Sequence, residues 1–375
     1  MLLYWGVKKM SNEFFSTSNR IKETPFTSRN NKVGVKKYSV YNNILIPTVF
    51  KSLKSDYLHL IKNVQLWDVC CQKIIEIKGK KSLSLIKYLF CRDFSNVTSG
   101  RAYYSPIVNF DGGILNDPVV FCINENHFLI SLSDSDLFNW ISAINYTMNF
   151  KVDVYESNRL TIAIQGPKSE LLITKIFGKD VKELKYFRFK NFNFNKEDII
   201  LSKTGFSKQT GYEIIISNND TGVILWDLII KEGKDLNIRV GCPNMIERVE
   251  NCLLSYGNEM TNKNIPQDCG LGKFCNLDVD FDFIGKSALL KQRDKGFKKS
   301  IYQVNFDLDI FPRPPFFNNL TVYRKGIEDG KVTSVVWSPT KKRYVGFLIA
   351  NRSISEDLGY YSLSKNLSFE IMEIN

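Results

Sequence analysis

Hydrophobic positions along the chain switch repeatedly between a period of two, which suits strands, and a period near 3.6, which suits helices. "QKIIEIKGKKSLSLIKYLF" (72–90) shows both: a strand run, a turn at Gly79, then a helix. "AYYSPIVNFDGGILNDPVVFCI" (102–123) reads as a hairpin, because two β-rich runs flank Asn109-Phe110-Asp111-Gly112-Gly113 and Asp-Gly-Gly is strong turn chemistry. "HFLISLSDSDLFNWISAINY" predicts a strand followed by a helix, with Ser133 or Asp134 as N-cap. "LTIAIQGPKSELLITKIFG" repeats that arrangement, with a Gly-Pro break and a helix ending at Gly178.

"FRFKNFNF", "DIILSKTGF" and "GYEIII" then read as strands, and "TGVILWDLIIKEG" and "CPNMIERVENCLLSYG" as helices. Beyond residue 291 the runs shorten and Pro and Gly turns separate them, which predicts a small all-β module with Pro312, Pro314 and Pro315 in a loop. The pattern has no regular repeat. The fold class is therefore α+β, an α+β body followed by an all-β module. Within the body, "SKTGFSKQTGYEIII" is unusual: it puts a lone acid, Glu213, at the entrance of a strand that otherwise looks buried.

The 375 residues suit two or three domains, and 43% hydrophobic with 24% charged residues is ordinary for a globular protein. No apolar run approaches the ~20 residues of a spanning helix. "MLLYWGVKKM" is too short for a secretory signal, and Met10 is a candidate start, so residues 1–9 are expected to carry no structural role. The net charge of +12 comes from lysines spread along the chain, with pairs such as Lys36–Lys37 and Lys80–Lys81. They form no stripe interleaved with aromatics, which argues against a nucleic-acid partner. None of the eight cysteines forms a CxxC pair, which fits a reducing cytoplasm and no metal. The two histidines, His59 and His127, sit in no nucleophile motif, so any chemistry here needs little from histidine.

"GGILND", "AIQGPKS", "TGFSKQTGYEI", "RVENCLLSYGNEM" and "DFIGKSALL" occur in this order, and together they resemble the glycine-cleavage T-protein family, the folate-dependent aminomethyltransferases. "TPFTSR", "YSVYNNILIP", "LWDVCC", "CRDFS", "GRAYYSPI" and "GCPNMIERVE" are similar to one branch of it, the dimethylsulfoniopropionate demethylases. The resemblance spans about residues 20 to 350. It implies a three-domain cloverleaf: residues 10–72 with 156–258, residues 73–155 with 259–291, and a C-terminal β-barrel from 292 to 375. It also implies tetrahydrofolate as co-substrate, a small sulfonium compound as substrate, no membrane partner, and a monomer or homodimer.

The same resemblance assigns roles residue by residue. Glu213 of "GYE" would hold the pterin ring, since a carboxylate offers two acceptors to adjacent N–H donors. Asp117, after "GG-x-x-x", would lie beside the reacting nitrogen, and Tyr104 would pack along the folate; Arg248 is a further folate candidate. A strand-edge Glu213 facing water, an Asp117 bonded only to its own turn, a core Tyr104 and a structurally paired Arg248 are the ordinary alternatives. For the sulfonium and its carboxylate, Phe206, Tyr212, Trp67 and Tyr41 supply aromatic faces and Arg29 a cation, though aromatics in strands are more often core.

Three departures bear on substrate. Aminomethyltransferases usually have two acids where this chain has Asn116 and Asp117. They carry arginine where it has Asn244, and the demethylase branch carries tryptophan where it has Phe206. The implied reaction is methyl transfer from dimethylsulfoniopropionate. The rival readings are an aminomethyltransferase working with a lipoyl carrier, a folate-binding protein without transfer activity, and a paralogue acting on another onium compound such as a betaine.

Overall fold

The computed structural model describes residues 18–306, 320–324, 327–351, 362–363 and 369–373. The extension 1–9 and the proline cluster Pro312, Pro314 and Pro315 lie outside the described residues. Two sheets form the body. The first has six strands in the order Phe189–Phe194, Glu197–Ser202, Gly211–Ile216, Leu160–Gln165, Gln65–Asp68 and Arg239–Gly241, antiparallel except for the last pair. The second has five antiparallel strands: Asp153–Ser157, Ile74–Lys78, His127–Ser131, Val119–Asn124 and Arg101–Tyr104.

Period-two alternation divides each sheet into two faces. In the first sheet, Tyr212, Ile214, Ile216, Ile162 and Ile164 face the helices Ser169–Phe177 and Asn219–Glu232 and form one core with Leu172, Leu225 and Trp226. Asn218 caps the second of these helices by accepting from the Asp220 and Thr221 amides. On the other face, Ile200 and Ile215 pack against Ile74, Ala102, Phe121 and Leu129 of the second sheet. The two sheets thus meet face to face. Their edges are also stitched, with Ala102 N–H donating to Phe187 O at 2.9 Å and Phe189 N–H to Gly100 O at 2.9 Å.

The expected hairpin at 102–123 forms in two layers. Arg101–Tyr104 pairs with Val119–Asn124 in the second sheet, while Ile107–Val108 pairs with Ile114–Asn116 in a separate ribbon. The ladder breaks at Ser105-Pro106 and Asp117-Pro118, where proline supplies no N–H. The helix after His127–Ser131 begins at Phe138, later than Ser133 or Asp134. Asp134 is instead engaged elsewhere, its Oδ1 accepting from the Asn42 amide at 2.7 Å.

The C-terminal module is a six-stranded antiparallel sheet with Ser362–Leu363 and Phe369–Glu373 at its two ends. Among the described residues those two end strands are not paired with each other. It docks on the body through Val336, Val345 and Phe347, which share a core with Ile246, Val249, Met260 and Phe283.

Candidate functional site

Glu213 lies on the face of the first sheet that looks toward the second. Its cross-strand neighbours are Ala163 and Ser202, and Trp67 follows Ala163 in the same row. The side chain is only 8% exposed. Its one hydrogen bond comes from the Thr204 hydroxyl to Oε2, and Thr204 in turn lies 3.0 Å from the Ser202 hydroxyl. Among the described residues no cation pairs with it. Burial pushes the Glu213 carboxyl above its ordinary range, and the Thr204 hydroxyl opposes that shift.

The loop that places it is shaped by glycine. Gln165 runs between Gly205 and Gly211, where a Cβ would come within 2.1 and 2.3 Å of its amide nitrogen. That amide donates to Thr204 O at 3.3 Å, and Ser207 Oγ donates to Gln165 Oε1 at 2.7 Å. Gln165 and its glycines therefore act as a template for the 203–210 loop, in which Phe206 is half-buried.

Asp117 sits at the break in the two-layered hairpin. Tyr104 Oη donates to its Oδ2 at 2.8 Å, while Oδ1 is buried with no hydrogen bond of good geometry. Burial raises the Asp117 pKa to about 6, the hydroxyls of Ser133 and Tyr104 hold it down, and Glu259 adds a further push upward. The carboxylate also makes the phenols of Tyr41, Tyr104 and Tyr256 harder to ionise, in each case after burial, so three tyrosines lie around it. Tyr41 is carried there by a small hairpin, Lys37–Tyr41 with Ile44–Val49. Its turn residue Asn42 docks on Cys71 O and Ser133 O, each at 3.0 Å. Asn116, the residue before Asp117, is fixed by its own side-chain hydrogen bonds. Its amide accepts from Ser133 N at 3.0 Å and donates to Ser135 Oγ at 2.8 Å, and a carboxylate could not donate.

The remaining candidates are placed differently. Tyr104 and Tyr103 point to opposite faces as alternation requires, Tyr103 into the helix-side core. Trp67 and Tyr212 are fully buried, with Trp67 Nε1 donating to Gln65 Oε1 at 2.8 Å and Tyr212 Oη to Glu170 Oε2 at 3.1 Å. Arg29 forms a two-bond pair with Asp227 on the helix Asn219–Glu232, at 2.9 and 2.6 Å. Arg248 donates to Glu259 at 3.0 Å and to Ser334 of the C-terminal sheet at 2.8 Å. Neither histidine joins this group: His59 bonds Asn237 O and His127 bonds Glu76. Two surface clefts, of about 420 and 480 Å³, lie elsewhere and include neither Glu213 nor Asp117 in their walls. Sequence reasoning passed over Thr204 and Tyr256 as site residues. Both lie inside motifs quoted for the resemblance, so position within "TGF" and "LSYG" was the available signal.

Residues 26–279 match the GCVT N-terminal domain family, more than half of the chain. This chain belongs to the aminomethyltransferase (GCVT) family. It is 40% identical over 322 residues to "Dimethylsulfoniopropionate demethylase DmdA" of Ruegeria pomeroyi, covering 86% of this chain and 87% of that protein. It is 30% identical over 323 residues to an "Aminomethyltransferase" of Oceanobacillus iheyensis, covering 83% and 85%. The crystal structure of the glycine cleavage system aminomethyltransferase T from Bartonella henselae superposes with a TM-score of 0.82 at 20% identity, over 94% of this chain and 97% of that one. This likeness establishes the fold the GCVT member shares. Asn244 Oδ1 caps the helix Met245–Glu250 by accepting from Ile246 N at 2.9 Å, and its Nδ2 donates to Leu53 O at 3.0 Å. Arginine, which has no acceptor, could not make that cap.

Proposed function

We propose that this chain is a tetrahydrofolate-dependent methyltransferase that demethylates dimethylsulfoniopropionate to 3-(methylthio)propionate. The observation that carries the reading is the 40% identity to the demethylase across most of both chains. Two buried carboxylates with unfilled acceptor capacity support it, since a pterin brings N–H donors. Glu213 would receive the pterin edge while Thr204 holds its other oxygen. Asp117 Oδ1 would accept from the folate near its reacting nitrogen, with Oδ2 fixed by Tyr104.

Tetrahydrofolate would supply the nucleophile, N5, which takes the methyl as its bond to sulfur breaks and then loses the N–H proton to give 5-methyltetrahydrofolate. The leaving group is a neutral thioether and needs no acid. The protein's task is therefore to align two ligands and keep water out, and alignment alone can supply about 7–11 kcal/mol. The ring of tyrosines around Asp117 offers faces for the sulfonium, with Tyr41 and Phe206 as the proposed contacts. The pairing of Arg29 with Asp227, the burial of Trp67 and Tyr212, and the Glu259–Arg248–Ser334 bonds favour structural roles for those four residues. Eight unpaired cysteines support work in a reducing compartment. Among the described residues no helix is long and apolar enough to cross a membrane.

A substrate panel separates the rivals. Purified protein with tetrahydrofolate is expected to release methylthiopropionate from dimethylsulfoniopropionate and to leave glycine betaine and an aminomethyl-loaded lipoyl carrier unchanged. Turnover of betaine or of the carrier, with none of the sulfonium, would reassign the substrate.

A further inference from the structure

Where the edges of the two sheets meet, Arg101 and Arg188 face each other as bridge partners, so their side chains leave the seam on the same side. Their chain neighbours Ala102 and Phe189 point the other way, into the core between the sheets. The Arg101 guanidinium lies 4.9 Å from the Tyr103 ring centre, and Arg92 lies 5.4 Å from the same ring. Two cations thus share one aromatic ring. All three arginines are half-buried. Arg92 is held below its ordinary pKa first by burial and then by Arg101.

Four other arginines have carboxylates: Arg29 has Asp227, Arg159 has Glu76, Arg248 has Glu259 and Arg293 has Asp278, whereas Arg20 and Arg239 have none among the described residues. Among the described residues no carboxylate pairs with Arg92, Arg101 or Arg188. Gathering like charges without a counter-charge is unfavourable in a half-buried setting, and an arriving anion would relieve it. The place also touches the site already described. Arg92 Nη1 donates to Tyr104 O at 2.7 Å, and its guanidinium lies 5.5 Å from the ring of Phe274, which meets Tyr104 edge-on at 5.1 Å.

We propose that Arg92, Arg101 and Arg188 form a binding site for a multivalent oxyanion at the seam between the sheets, linked to the Tyr104–Asp117 pair through the Arg92 bond to Tyr104 O. Guanidinium forks suit carboxylates and phosphates alike. That chemistry has two sources, the glutamyl tail of a folate bound at the neighbouring site or a free anion. Only the first source rests on the folate reading.

Calorimetric titrations of the full chain separate them. The probes are inorganic tripolyphosphate, monoglutamyl tetrahydrofolate and triglutamyl tetrahydrofolate, tested on the wild type, on Arg101→Gln with Arg188→Gln, and on Arg101→Lys; thermal melting checks that each folds. If the tail is the ligand, the triglutamyl form binds about tenfold tighter than the monoglutamyl form. The double variant then loses that difference and keeps its monoglutamyl affinity, and Arg101→Lys keeps part of it. If a free anion is the ligand, tripolyphosphate binds the wild type, the double variant loses it, and the two folates bind alike. Tripolyphosphate that fails to bind, together with folates whose affinities ignore tail length, overturns the site. A protein that binds no folate at all would defeat the function proposed above while leaving the tripolyphosphate result to decide this one.

Discussion

Glutamine in place of Glu213 keeps the shape of the side chain and removes its charge, so the variant isolates the charge-assisted part of pterin binding. A hydrogen bond to a charged group contributes about 1.5–3 kcal/mol, which corresponds to roughly a 10- to 150-fold weaker Kd for tetrahydrofolate. Calorimetry on Glu213→Gln checks this, with an unchanged melting temperature as control; unchanged affinity would remove Glu213 from the site. The raised Glu213 pKa also sets a direction with pH: wild-type folate affinity should fall on acidification through that pKa, sooner than an ordinary carboxylate would allow. Asp117 gives a second test with a definite sign. Its pKa is raised from 3.8 to about 6, so above that value the folded protein carries a buried charge that the unfolded chain holds in water. Asp117→Asn should therefore raise the melting temperature of the ligand-free protein at pH 8 and change it little at pH 4. A pH-independent effect would show that Asp117 is not held under that strain.

Between residue and fold stands the 203–210 loop, whose course is set by the Gln165 amide lying between Gly205 and Gly211. An alanine Cβ at position 211 would fall 2.3 Å from both the nitrogen and the oxygen of that amide, driving the nitrogen off Thr204 O and the oxygen off Ser207 Oγ. Overpacking of this kind costs about 1–3 kcal/mol, and here it should loosen Thr204 as well, the residue that aims Glu213. Gly211→Ala is accordingly expected to raise the KM for tetrahydrofolate severalfold while leaving the sulfonium KM near its original value. Equal changes in both would mean that the loop serves the whole cavity. At this scale the sequence was only partly readable. The strands and the helices Ser169–Phe177 and Asn219–Glu232 follow from period and punctuation, and Gly178 ends the first of them as expected. The later start at Phe138 was not readable, because Asp134 and Ser133 are drawn away by Asn42, more than 90 positions distant in sequence. The same long-range docking, invisible to local pattern, brings Tyr41 to Asp117.

Across the whole molecule, the C-terminal sheet is joined to the body by apolar packing and by polar bonds, among them Gln303 Nε2 donating to Val249 O at 2.7 Å and Ser334 meeting the buried Arg248–Glu259 pair. Arg248 donates to Glu259, whose carboxylate also accepts from Ser255 N–H at 2.8 Å, the Ser334 hydroxyl and the Thr333 hydroxyl at 3.4 Å. Removing the cation leaves a carboxylate with no exposed side-chain surface and no counter-charge. Arg248→Met should destabilise the protein by about 3–5 kcal/mol, and the double change with Glu259→Gln should recover much of that loss. Urea unfolding checks both, and a loss below about 1 kcal/mol for the single variant would mean water reaches Glu259. The lone acid of "GYEIII" is accounted for at this scale too. The strand has a helix side and a sheet side, and its acid belongs to the sheet side, the face that packs on the second sheet. Period alone assigned the faces; only the second sheet shows that the second face is covered.

The most direct test of the central claim is a single-turnover reaction with dimethylsulfoniopropionate carrying ¹³C in both S-methyl groups, followed by NMR with enzyme in excess over tetrahydrofolate. One labelled methyl should appear on N5 of the folate in step with labelled methylthiopropionate, and Glu213→Gln should slow that transfer without changing its products. Label that stays on sulfur while folate is bound, or that emerges as formaldehyde or at the methylene level, would contradict it.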